Sequence, residues 1–176
     1  GFITEMGGSA KGDATLAPSA KYNYSVGREL HYADGSLGAP LLAMDRKNYF
    51  VFDLTGVTGT ITGASLRLWT GEYESVHAAE TYRLRQVDDQ VGALADADAL
   101  GAGGLIPGDF DDPTDPLVGM AAALYTKIPM GGPPGPPLHG LAVIDASLDD
   151  SFIVITFTGP GLDFLNAHLG MRVLLG

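Results

Sequence analysis

The run Ser151-Phe152-Ile153-Val154-Ile155-Thr156-Phe157 constrains the fold more than any other feature of the chain. Branched and aromatic side chains suit a pleated backbone, and the run is too short for a buried helix. Both of its faces are apolar. Such a strand belongs in the middle of a sheet, or at an edge that something covers. It stops at Gly159-Pro160-Gly161, and turn residues punctuate the rest of the chain in the same way, with 25 Gly and 11 Pro in 176 residues and no regular period. Many turns joining short apolar runs predict an all-β protein, and at this length a single β-sandwich domain.

Other segments carry the same signature. Asn48-Tyr49-Phe50-Val51-Phe52-Asp53-Leu54 is β-branched and aromatic, and a glycine-punctuated turn, Thr55 to Thr60, follows it. Ala64 to Trp69 alternates, so Leu66 and Leu68 are expected to face the core while Arg67 and Trp69 face the other side. Thr81 to Arg85 alternates likewise, with Tyr82 and Leu84 inward. Tyr22 and Tyr24 alternate with polar residues as a half-buried strand would, Leu41 to Met44 is a short apolar run, order returns at Leu141 to Ile144, and Met171 to Leu175 reads as a final strand. Leu162, Leu165 and Leu169 sit at helical spacing and predict one short helix near the C-terminus.

Two segments differ in texture. Residues 1–20 are small, polar and glycine-rich, with one apolar patch at Phe2, Ile3 and Met6. This arm has too little apolar surface for a core of its own; it is a disordered arm or a strand that pairs with something else. Residues 21–176 are expected to form the sandwich, interrupted by a long Gly/Pro-rich loop over 92–140. Within it, Asp109 to Pro116 reads as exposed loop, Met120 to Leu124 as a short helix or a strand, and Gly131 to Pro137 as a polyproline stretch.

Three pieces of sequence bear on family. They are Asn48 through Leu68, Ala79-Glu80-Thr81-Tyr82-Arg83-Leu84, and Phe157 through Gly170 with Leu165-Asn166-Ala167 at its centre. Together they resemble secreted bacterial β-sandwich domains of PEP-CTERM-type surface proteins. The first piece is also similar to the strand–turn–strand of DNRLRE modules, which are carbohydrate-binding-like. The resemblance implies export, a sandwich of jelly-roll type and no catalysis. It carries over no site residues, because the matching positions read as core and turn.

Charge and composition narrow the chemistry. A net charge of −11 repels phosphate backbones and anionic lipid, so neither nucleic acid nor a membrane surface is an expected partner. No apolar run is long enough to span a bilayer. The chain has no Cys, which removes disulfides, thiolate metal sites and Cys nucleophiles, and fits an exported protein that does without disulfides. Export implies a leader peptide removed ahead of Gly1. His31, His77, His139 and His168 are widely spaced, and neither a nucleophile elbow nor a phosphate-binding glycine loop is present, so no enzyme is expected.

Three sites remain as candidates. Asp109, Asp111 and Asp112 have the oxygen-rich alternation of a calcium loop without the rest of an EF-hand, and a solvated acidic loop explains them as well. Trp69 and Tyr73, with Arg67 and Glu72 nearby, would make a sugar-stacking surface if Trp69 points outward; a lone Trp more often packs inside. Asn23-Tyr24-Ser25 is a glycosylation sequon. The expected function is therefore a non-enzymatic extracellular structural protein that associates with copies of itself in a surface filament, sheath or matrix. Phe2, Ile3 and Met6 would carry assembly by strand donation. The alternative is a secreted carbohydrate-binding module with polysaccharide as partner.

Overall fold

The computed structural model describes residues 2–4, 9–10, 27–32, 41–70, 73, 75–103, 116–129 and 137–176. The chain divides into two compact units, each built from separate stretches of sequence. One comprises Gly1–Val51 with Asp88–Ile128, and the other Phe52–Val87 with Pro129–Gly176.

In the first unit, β1 (Phe2–Thr4), β2 (Ser9–Ala10), β3 (Gly27–Tyr32) and β4 (Leu41–Asn48) form an antiparallel sheet in the order β2-β1-β4-β3. Phe2 and Ile3 therefore lie on a strand of their own chain's sheet, in register with Asn48 and Lys47. Helices α1 (Gln90–Gly103) and α2 (Pro116–Lys127) pack on each other. At the C-terminal end of α2, Lys47 Nζ donates to the Tyr125 oxygen at 2.9 Å and to the Ile128 oxygen, just past the helix, at 2.7 Å, and lies over the Tyr125 ring. A cation there also opposes the negative end of the helix dipole. Lys127 ties the two helices together through Asp96 at 2.8 Å.

These helices overturn the expected fold class. The chain is a mixed α/β protein; the all-β sandwich of jelly-roll type, with one short helix and a long loop, is not what forms. Among the described residues there are three α-helices, and α1 and α2 both fall largely inside the 92–140 segment read as Gly/Pro-rich loop. The reason lies in side-chain size. Ala93, Ala97 and Leu100 are buried at i, i+4 and i+7, and Ala121, Leu124, Tyr125 and Ile128 at i, i+3, i+4 and i+7. Alanine is the strongest helix former, yet its small apolar surface makes a faint stripe among Gly and Asp.

In the second unit, β6 (Ser65–Thr70), β7 (Glu80–Arg85), β8 (Leu138–Ile144) and β9 (Ser151–Phe157) form an antiparallel sheet in the order β6-β9-β8-β7. Of the two places expected for Ser151–Phe157, an inner strand or a covered edge, β9 takes the inner one, though with Phe152 and Val154 half-exposed on one face. A two-stranded sheet pairs β5 (Phe50–Asp53), of which Phe52 and Asp53 belong to this unit, with β10 (Arg172–Leu175). The expected C-terminal helix is α3 (Gly159–Ala167), capped by Thr158, whose hydroxyl accepts from the Gly161 N–H, with a proline in the first turn. One face of the four-stranded sheet buries Leu68, Tyr82, Leu84, Ile153, Ile155 and Phe157, and Phe164 and Leu165 of α3 are buried with them. Each such side chain contributes about 1.5–3 kcal/mol relative to staying in water. Asn166 acts as a surrogate strand edge: its amide oxygen accepts from the Ile61 N–H at 2.7 Å and its nitrogen donates to the Ile61 carbonyl at 2.9 Å. This pair pins the glycine-punctuated turn after β5 to α3.

Candidate functional site

The other face of the four-stranded sheet has no cover among the described residues of its unit. Strand register places Ser65, Arg67 and Trp69 of β6 opposite Thr156, Val154 and Phe152 of β9. Leu141 of β8 lies opposite Thr156, and on β7 Arg83 and Thr81 lie opposite Leu141 and Val143. Side chains alternate across a sheet, so these positions share one face. Trp69 is 49% exposed, Phe152 44%, Val154 51%, Val143 61% and Leu141 42%. Arg67 is turned as expected, and Trp69 points away from the core.

The aromatic pair is specific in geometry. The Trp69 and Phe152 rings meet edge to face, with centroids 4.9 Å apart and planes at 82°. The Arg67 guanidinium lies over the Phe152 ring, 3.9 Å from its centroid. Such a cation–π contact is worth about 0.5–1 kcal/mol at an exposed site. None of the face positions named above carries a carboxylate, on a chain whose net charge is −11. The face is therefore apolar at its centre and cationic toward both outer strands.

Tyr73 belongs to the loop beyond β6. Its N–H donates to Asp149 Oδ1 at 2.7 Å and its hydroxyl donates to the His77 carbonyl at 2.9 Å. The ring that meets Trp69 is Phe152, a partner across the strands that linear spacing does not reveal. Asp109, Asp111 and Asp112, like Met6, Asn23 and Glu72, lie outside the described residues. Among the described residues there is no group of three or more acidic or histidine side chains arranged to hold a metal ion. No helix among them is long and apolar enough to cross a membrane.

A second feature sits on the covered side of the same sheet. The register between β7 and β8 pairs Leu84 with Gly140 and then Arg85 with Leu138, which leaves His139 as the extra residue of a bulge. Bulges re-aim side chains. His139 shares parity with the exposed Leu141 and Val143, yet it turns inward and is only 3% exposed. Its ring stacks on Phe164 at 4.8 Å, and Phe164 in turn lies against His168 at 4.3 Å. Neither ring nitrogen has a hydrogen-bond partner among the described residues. Burial pushes the His139 pKa down, and the neighbouring Arg85 and His168 push it the same way. Burial thus favours the uncharged imidazole, which suits its packing on the Phe164 ring.

No protein-family model, curated protein or solved structure matches the chain.

Proposed function

We propose that this chain is a non-enzymatic structural module of the cell surface or extracellular space, and that it works by associating with copies of itself. One observation carries the reading: a four-stranded sheet with a filled core on one side leaves Trp69, Phe152, Val154, Val143 and Leu141 half-exposed together on the other. Scattered apolar residues on a surface are ordinary, but a contiguous patch marks a contact. The composition suits that role, since Trp, Phe and Arg are enriched where proteins bind one another. The lack of Cys and the resemblance of residues 48–68 to exported surface domains support the location.

Sedimentation velocity and negative-stain microscopy of the intact chain over a wide concentration range test the reading. Association that grows with concentration supports it. A monodisperse monomer throughout ends it. In that event the sugar-binding alternative takes its place, because Trp69 is exposed beside Arg67. The chain has a single Trp, so a glycan bound there would change the intrinsic fluorescence, and Trp69→Ala would abolish binding.

A further inference from the structure

We infer that the occupant of the uncovered sheet face is the same face of a second copy, packed sheet on sheet about a two-fold axis, so that association through it closes at a dimer. The inference rests on the self-association proposed above and names its surface, its partner and its symmetry.

The first argument is area. Each of the five apolar side chains leaves between 42% and 61% of itself in water, on the order of 100 Å² for the two aromatic side chains and somewhat less for Val154, Val143 and Leu141. The patch is therefore on the order of 500 Å², at the upper end for a monomer's surface. Two such patches, with the aliphatic stems of Arg67 and Arg83 beside them, remove about 1,000 Å² from water, the size of a weak, reversible interface.

The second argument is shape. Two sheets with the same hand of twist pack face to face at a shallow angle, about 10 Å apart, with their side chains interdigitating. Identical faces meet this condition automatically. The branched side chains of Val154 and Val143, on the two inner strands, suit that packing. The third argument is position. Val154 lies on β9, an inner strand of the sheet with β6 on one side and β8 on the other. A two-fold axis through this region brings Val154 near its own symmetry mate. The patch is then used up by one partner, so the contact cannot propagate.

The test uses the intact chain and two substitutions on exposed positions, Val154→Arg and Val143→Lys, each checked for native fold by circular dichroism and Trp69 fluorescence. Sedimentation equilibrium should show a reversible monomer–dimer system. Val154→Arg should weaken it by about 100-fold, because a two-fold interface contains each substitution twice. Since the chain has no Cys, Val154→Cys supplies a single thiol, and a short bismaleimide should trap it as a covalent dimer. Folded variants that associate as well as the parent chain would overturn this face as the contact while leaving self-association standing. Loss of association in Val154→Arg from species that had grown beyond the dimer would overturn the two-fold closure. A parent chain that stays monomeric at every concentration would remove both the inference and the reading beneath it.

Discussion

Gly161→Ala sets helix propensity against steric crowding. Gly161 lies in the first turn of α3, where alanine should stabilise a helix by about 1 kcal/mol relative to glycine. Crowding acts in the opposite direction and outweighs that gain. A Cβ at Gly161 would come far inside contact distance of the His139 carbonyl oxygen, and would stand 2.9 Å from its carbon and 3.1 Å from its Cα. These are backbone atoms of the β8 bulge and cannot rotate away. The start of α3 must retreat by about 1 Å, at the typical overpacking cost of 1–3 kcal/mol. Retreat also strains the bond from the Thr158 N–H to the same His139 oxygen, now 2.8 Å, worth about 1 kcal/mol. The net expectation is a loss of about 1–3 kcal/mol. Gly119→Ala in α2 is the matched control, because a Cβ there meets nothing within 4 Å; it should stabilise by about 0.5–1 kcal/mol. Urea unfolding followed by far-ultraviolet circular dichroism reads both. Trp69 fluorescence, from the sole tryptophan, reads the unit that contains Gly161. If Gly161→Ala unfolds at the same urea concentration as the parent chain, or higher, the close approach of α3 to the bulge is wrong.

Two further perturbations probe the same unit. The His139 pKa is lowered in the folded state, so between the unfolded value near 6.5 and the lower folded value only the unfolded chain takes up this proton; stability is complete above that window and falls on acidification through it, by about 1.4 kcal/mol per pH unit. Denaturant midpoints measured between pH 8 and 5 should show this slope and lose it in His139→Met, and an unchanged slope in the variant would acquit His139. Asn166→Asp keeps the acceptor for the Ile61 N–H but sets a carboxylate against the Ile61 carbonyl, for a loss of about 2 kcal/mol. Limited proteolysis should then cut within residues 54–64, and protonating the new carboxylate at low pH should restore protection; resistance equal to the parent chain at neutral pH would refute the pinning role.

The strands of the second unit are legible in the sequence because they obey a period of two. Alternation points Leu66, Leu68, Tyr82 and Leu84 inward and Arg67 and Trp69 outward, and exposure follows it. The C-terminal helix announces itself through Leu162 and Leu165, but Gly159-Pro160-Gly161, read as a stop, forms its first turn, and Leu169 lies past its end. The helices of the first unit do not, because alanines at helical spacing look like filler between Gly and Asp. The aromatic cluster is half legible: Trp69 stands out as the sole tryptophan, but its partner Phe152 lies far away in sequence and close only through strand register.

What the sequence by itself determined is local: where several strands run, which of their side chains share a face, where turns fall, and that thiol chemistry is absent. These follow from backbone periodicity and side-chain shape, which act over a few residues. Tertiary structure decided the rest. It decided that β9 is flanked by β6 and β8, that one face of the sheet is filled while the other is open, and that a bulge turns His139 from the outer parity into the core. These outcomes depend on contacts between segments far apart in the chain, where cross-strand register and the fit of a helix start against a carbonyl select one arrangement among many that the same local pattern permits.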